Sequence, residues 1–546
     1  MDRLWKSLVF AGLLALAAGI LLWLTRPQGG ETADAAEEAV PVRAEKDPKP
    51  PLPLPVEEAE ERGEIPLPEW NKEVIPGETT VFFTSDEAMD RFIEAAAREG
   101  LAVRGRIDGL GAVRVYGSLS RLRPLLGDAE TMDYNYRISA PPLPGSEFWT
   151  EANLAPVGAD LLSLLGVDNP SGQANWGQGV RVAVLDTGWQ GHAAVDRNRV
   201  RELDILGADG VAEGEYNDHG TAVAGLIMSG ESFAPGIAPE SELLAVRVLD
   251  GNGQGNTFQL AEGILAAVDA GADVINMSLG GYSDSEILRR AVDYADSRGV
   301  TLVAASGNDG VGRVTHPAAY ENVLGVTAVD AEGARAGFSN FGEGVDIAAP
   351  GYKLHALWGE EEFVFFDGTS AASAVVAGMA ARVLQTGNAR GPEEVRSLLR
   401  EQANDSGAPG MDPQYGAGIL DAGRLERVGT SGYPDLAVAD LYPAVEQSDG
   451  ASFPLYATVQ NRGTDFIPGA RLELSVNGTS YFYQFSGMDP GVVDSVQIPV
   501  PEARLDGGES FTVKAKVRPP EGYEDRQAAN NAADITLRRG EENPGG

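Results

Sequence analysis

Four short segments of this 546-residue chain carry groups that can do chemistry together: VAVLDTG ending at Gly188, NDHGTAVAG around His219, AASGN ending at Asn308, and DGTSAASAVVAG around Ser370. A carboxylate, an imidazole, an amide and a hydroxyl follow one another in that order, each close to glycine. A serine hydroxyl is a weak nucleophile at neutral pH. It needs a base to take its proton, a group to orient that base, and donors for the oxyanion that forms on the attacked carbonyl. Ser370, His219, Asp186 and Asn308 supply one group for each role, and the chemistry they point to is acyl transfer.

The elements around these residues fit that task. Asp186 ends the apolar run RVAVLD, and the C-terminal ends of parallel strands are where α/β sheets build their sites. His219 opens a stretch of small residues, and so does Ser370 (Ala371, Ala372, Ala374, Ala377, Gly378), so both predict helices that pack tightly on a sheet. A serine at a helix N-terminus lies beside unpaired backbone N–H groups and the positive end of the dipole. Between about 150 and 428 the apolar runs RVAVLD, LLAVRVL, DVINMSL, TLVAASG and VLGVTAV alternate with helical stretches such as FQLAEGILAAVDAG and DSEILRRAVDYADSRG. This pattern predicts an α/β fold with a parallel sheet covered on both faces.

Each residue has a plainer reading when taken singly. Asp often ends strands, an Asn after Gly is a turn, and Ser370 alone is a helix N-cap. The other histidines, His192, His316 and His355, are read as structural or surface residues. The motif at Asp186 also occurs in peptidases that use two carboxylates sharing a proton. The second match here, Asp405-Ser406-Gly407, lies among polar loop residues and not after an apolar strand.

Taken together, the four segments resemble the subtilisin-like serine protease (subtilase) family, whose chain order is Asp, His, Ser. The resemblance covers roughly residues 180–428, and HPAAYENVLGVTAV and VDIAAPG add to it. It implies a Ser370–His219–Asp186 triad with Asn308 in the oxyanion hole. It also implies an extended substrate held between GNGQGN (Gly251, Asn252 and Gly253) and the strand ending in Ser278, Leu279 and Gly280. Ala305, Ser306, Gly307 and Thr315 would border the primary pocket, with Thr315 near its base. The chain departs from the family in places. Ala222 replaces the second histidine after HGT, and Ala371 and Ala374 replace Met and Pro after the serine. Gly255 stands where some relatives have an aromatic residue, which implies an open distal subsite. The loop SGESFAPGIAP lacks the Asn-rich calcium signature, so neither metal nor cofactor is assigned.

Composition bounds the rest. Asp and Glu number 81 against 42 Lys and Arg, a net charge of −39, which argues against nucleic acid as a partner. With no cysteine, disulfides and thiolate chemistry are excluded. Arg3 and Lys6 precede an apolar run from Leu8 to Leu24, which predicts a signal peptide or signal-anchor over 1–27 and export to the membrane's outer side or beyond. A Pro/Glu-rich spacer over 28–75 follows.

Residues 76–140 read as βαββαβ, a ferredoxin-like order. By position this unit resembles the propeptide of secreted subtilases, which implies a folding chaperone and inhibitor, with Pro141–Gly145 as the exposed joint near which the chain is cut. Residues 433–538 give about seven short strands between Gly, Pro and Asn turns, an antiparallel β-sandwich. The segments VQNRGT and NNAADITL resemble CARDB-type, cell-adhesion-related domains. The expectation is an exported, self-processing serine endopeptidase acting on peptides. The non-enzymatic alternative is a catalytically silent surface adhesion or scaffold protein that uses the C-terminal sandwich.

Overall fold

The computed structural model describes residues 72–141, 157–158, 161–167, 175–207, 218–506 and 510–538. The apolar run Leu8–Leu24, most of the spacer and the segment from Pro142 to Gly145 lie outside the described residues. Among the described residues, no helix is long and apolar enough to cross a membrane.

The first unit is an α+β layer. Strand β1 (Val74–Phe82) is followed by α1 (Asp86–Arg98), β2 (Ala102–Ile107), β3 (Ala112–Tyr116), the short α2 (Leu119–Leu122) and β4 (Thr131–Ser139). The antiparallel order is β4-β1-β3-β2, as the βαββαβ reading requires. Helix α1 starts where Ser85 Oγ accepts the Ala88 N–H (3.3 Å), and it buries Met89, Phe92 and Ala96 on one face. Strand β1 begins at Val74, so the spacer ends two residues earlier than the composition suggested.

The central unit is built on seven strands. After the short α3 (Leu161–Leu164) come β5 (Arg181–Asp186), β6 (Val200–Asp204) and α4 (His219–Met228). A small hairpin, β7 (Gly230–Glu231) and β8 (Ala234–Pro235), leads to β9 (Glu242–Arg247), β10 (Gln254–Asn256) and α5 (Thr257–Asp269). Then follow β11 (Val274–Met277), α6 (Glu286–Ser297), β12 (Thr301–Ala305), β13 (Val323–Val329) and β14 (Ile347–Pro350). A second hairpin, β15 (Leu354–Trp358) and β16 (Glu362–Phe366), precedes α7 (Thr369–Thr386) and α8 (Pro392–Glu401).

The main sheet runs β14-β13-β12-β11-β5-β9-β6, with all neighbours parallel. Residues of β5 alternate between two cores. Val182 and Val184 face α4 and α7, whereas Ala183 and Leu185 face α5 and α6. The chain leaves β5 toward β6 and β9 on one side and later toward β11 on the other. The end of β5 is therefore the switch point of the sheet, and Asp186 occupies it.

The last unit has the seven expected strands: β17 (Leu436–Pro443), β18 (Ser452–Asn461), β19 (Ala470–Val476), β20 (Thr479–Phe485), β21 (Val493–Pro501), β22 (Phe511–Arg518) and β23 (Ala532–Leu537). They form a three-stranded sheet, β17-β18-β21, and a four-stranded sheet, β20-β19-β22-β23, around one apolar core. Asp440 Oδ2 accepts the Gly407 N–H (2.7 Å) and Gln460 Oε1 accepts the Asp405 N–H (3.0 Å), which tie the sandwich to the central unit beside a cavity of about 460 Å³. Asp405-Ser406-Gly407 thus belongs to this seam and is not a second carboxylate motif facing Asp186.

Candidate active site

The carboxylate comes first. Asp186 is fully buried at the end of β5, and its Oδ1 accepts the Thr187 N–H at 2.7 Å. His219 is the first residue of α4, and its Nδ1 lies 2.8 Å from Oδ1 and 3.0 Å from Oδ2 of Asp186. An ionised carboxylate only accepts, so Nδ1 donates and Nε2 is the basic nitrogen. The helix can come this close to the strand because residue 220 is glycine. A Cβ there would lie 2.3 Å from the Gly188 carbonyl oxygen. The Gly220 N–H also donates to Thr187 Oγ1 (3.1 Å), and the Phe366 ring packs edge-on 5.3 Å from the imidazole.

Ser370 is the second residue of α7 and is 1 % exposed. Its Oγ makes no hydrogen bond within the described residues. Its carbonyl accepts from Ser278 Oγ (3.2 Å) and Ser373 Oγ (3.0 Å), which fixes the backbone of the first helical turn. Asn308 sits beside that turn. Its Oδ1 accepts both the N–H and the hydroxyl of Thr369 (2.9 Å each), so the amide nitrogen is the donating end of the side chain. Gly368 adopts φ +127°, and a Cβ there would approach Asn308 Nδ2 to 2.7 Å, so glycine is needed on both counts.

The cleft beside Ser370 holds a strand of the same chain. Residues Arg137–Ser139 of β4 pair antiparallel with β10, Asn256 to Gln254. On the other edge Ser139 exchanges both backbone hydrogen bonds with Gly280 (3.0 and 2.9 Å), and the Ala140 N–H donates to the Gly253 carbonyl (2.9 Å). Gly253 and Gly280 thus pair with an extended segment of the same chain. Gly251 and Asn252 lie in the preceding turn, where the Asn252 N–H bonds Asp250 Oδ1. Ser278 and Leu279 are fully buried, with Ser278 turned toward α7 and not into the cleft. Thr315 is also buried. Its hydroxyl donates to the carbonyls of Ala305 (3.1 Å) and Ser306 (3.3 Å), and Gly307 follows in the positive-φ region.

Sequence reasoning missed several residues that position this site. Thr369 was visible only as the middle of GTS. Gln254, Gly255 and Asn256, the second half of the GNGQGN edge read from the sequence, form the paired strand. In the first unit, Asp133 Oδ2 accepts the Glu286 N–H (2.9 Å) at the start of α6. Asn135 Oδ1 accepts the Phe258 N–H (3.1 Å) and the Thr257 hydroxyl (2.9 Å) at the start of α5. These are N-caps supplied from another unit. Burial pushes the Asp133 carboxyl above its ordinary range, and the bonds from Glu286, Tyr136 and Tyr134 oppose that shift. Glu73 accepts from the Tyr282 N–H (2.8 Å) and the Ser283 hydroxyl (2.5 Å).

The remaining histidines are tied elsewhere. The Ala194 N–H donates to His192 Nδ1 (3.0 Å), His355 Nδ1 lies 2.9 Å from the Phe233 carbonyl, and His316 stacks 4.6 Å from Tyr320. Among the described residues no group of three or more His, Asp or Glu is placed to hold a metal ion.

Comparison with known proteins bears on the family of the chain. Residues 177–418 match the description of the subtilase family. The chain is 39 % identical over 253 residues to Subtilisin Savinase of Lederbergia lenta, a match covering 45 % of this chain and 90 % of that protein. It is 37 % identical over 270 residues to the thermostable alkaline protease of Halalkalibacterium halodurans, covering 48 % and 72 %. A solved mutant protease domain of PatA aligns over 47 % of this chain and 99 % of its own, with 31 % identity and a TM-score of 0.42.

Proposed function

The chain belongs to the subtilase family and is a subtilisin-like serine protease; we propose that it acts as an exported endopeptidase through a Ser370–His219–Asp186 triad and is made as a self-inhibited precursor. Ser370 Oγ attacks the peptide carbonyl while His219 Nε2 takes its proton. His219 then gives that proton to the leaving amine, and water hydrolyses the acyl-enzyme by the same route in reverse. Asp186 holds the imidazole in the required tautomer and stabilises it when charged. The Asn308 amide and the Ser370 backbone N–H would receive the oxyanion.

The observation that carries this reading is the buried His219–Asp186 contact at 2.8 Å, together with a buried Ser370 hydroxyl that has no partner among the described residues. Peptide substrates would lie extended between Gly253–Asn256 and Gly280 as an added strand. The unit over 74–141 would be the inhibitor, since its own β4 fills that position. Export rests on the positively flanked apolar run at Leu8–Leu24, which would leave the protease secreted or held at the outer face of the membrane. The C-terminal sandwich would be an accessory domain.

Ser370→Ala tests the reading. The variant is expected to lose peptidase activity, labelling by a fluorophosphonate, and removal of residues before about 150 in purified protein. A variant that is processed and active like the unaltered chain sinks the mechanism. Labelling of Ser370 in the unaltered chain rejects the silent adhesion protein.

A further inference from the structure

The strand that fills the cleft has a defined register, and that register leads to a proline. Ser139 and Gly280 form a hydrogen-bonded antiparallel pair, and the Ala140 N–H turns to the opposite edge at Gly253. Counting on from Ser139/Gly280 sets Ala140 opposite Leu279 and Pro141 opposite Ser278. Ser278 is the residue whose hydroxyl bonds the Ser370 carbonyl. Pro141, itself buried, is therefore the residue presented to the nucleophile. The next hydrogen-bonded pair of this ladder would need an N–H at position 141 donating to Ser278, and proline has none.

The residue after it is also proline. Acylation here would form the Ser370 Oγ–C bond and break the bond between the Pro141 carbonyl carbon and the Pro142 nitrogen. The serine proton would pass through His219 to that nitrogen. The leaving nitrogen is held in a ring, and the residue before a proline is confined to extended backbone. The ring restricts the leaving nitrogen as the tetrahedral state forms.

The register is also pinned. Glu73 holds the turn at Tyr282–Ser283, Asp133 caps α6 and Asn135 caps α5. A slip of one residue would turn every side chain of β4 to its other face and break the Asp133 and Asn135 contacts. While β4 stays docked in this register, the carbonyl it brings toward Ser370 is that of Pro141.

We propose that Ile138–Pro141 is a resident blocker that the protease cannot cut in its own cleft, so that the first cut is made downstream of Pro142 by a second molecule. This rests on the serine mechanism above. The latent chain would convert slowly when dilute and autocatalytically when concentrated.

The test uses the full chain, followed over time by intact mass and N-terminal sequencing across a hundredfold range of concentration. For the unaltered chain, the conversion half-time should shorten about in proportion to concentration, and the new N-terminus should lie beyond Pro142. Trace amounts of converted enzyme should cut the Ser370→Ala chain at the same place. The double variant P141L/P142A should convert at a rate independent of concentration, with residue 142 as its new N-terminus. Cleavage of the unaltered chain between 141 and 142, or conversion independent of its concentration, overturns the proposal. So does a double variant that is labelled at Ser370 by a fluorophosphonate but is not cut at 142. If neither chain labels at Ser370, the serine mechanism fails instead.

Discussion

Asn308 Oδ1 accepts two hydrogen bonds from one residue, the N–H and the hydroxyl of Thr369, each at 2.9 Å. Thr369 Oγ1 in turn accepts the Gly307 N–H at 3.2 Å. The amide of Asn308 is thus oriented before any substrate arrives, with its nitrogen as the donating end. Asn308→Ala is expected to lower kcat by about 10²–10³ with little change in KM, because the lost bond forms only in the transition state. Thr369→Val keeps the backbone donor and removes the hydroxyl, so its loss of kcat should be smaller. Steady-state kinetics on a peptide substrate decide the order.

A second prediction concerns Gly220. The added methyl of Gly220→Ala would lie 2.3 Å from the Gly188 carbonyl oxygen, and backbone cannot yield as a flexible side chain can. The start of α4 must then move away from β5, taking His219 from Asp186. A 1 Å misplacement of a catalytic group can cost about 10² in rate. We expect kcat to fall at least that far together with a lower unfolding temperature. Normal activity in a folded Gly220→Ala chain would show that the helix position is not critical.

The caps from the first unit make a third. Replacing an N-cap Asn or Asp by Ala typically removes about 1 kcal/mol, or roughly fivefold in an equilibrium. Asp133→Ala and Asn135→Ala should each loosen β4 on α6 and α5 and speed fluorophosphonate labelling of Ser370 in the unprocessed chain by several-fold. The double variant should show roughly the product. Unchanged labelling rates would mean that these carboxyl and amide groups do not hold the cleft closed.

A fourth prediction lies at the seam with the sandwich. Asp405 is buried, with its Oδ1 taken by the Gly410 N–H (2.7 Å) and its Oδ2 without a partner among the described residues. Burial pushes its pKa from 3.8 to about 7, with Asp412 and Asp440 adding to the shift and the Gly410 bond and Arg462 opposing it. Below about pH 4 the folded and unfolded chains both hold the proton. As pH rises toward 7 the unfolded chain releases it and the folded chain keeps it, so stability from this group falls across that window. Asp405→Asn keeps the Gly410 bond and cannot ionise. Between pH 4.5 and 8 its unfolding temperature should therefore drop by a few degrees less than that of the unaltered chain. Equal drops would assign the pH dependence elsewhere.

Much of this protein was determined by local sequence. A glycine beside each reactive group, apolar runs ending at Asp186 and Ala305, and small residues after His219 and Ser370 are signals carried within a few positions, because strand burial and close helix packing leave their pattern in neighbouring residues. The seven strands of the C-terminal unit and the βαββαβ order of the first were legible for the same reason. The buried strand β14 and the hairpin of β15 and β16 lacked a clear period, and only the structure gave them. Tertiary structure alone decided that Asn135 caps a helix more than a hundred residues away, that Asp405 meets Asp440 across a seam, and that Pro141 lies opposite Ser278. These are pairings between distant segments. Register across a sheet is set by where two chains dock, and neither chain encodes it by itself.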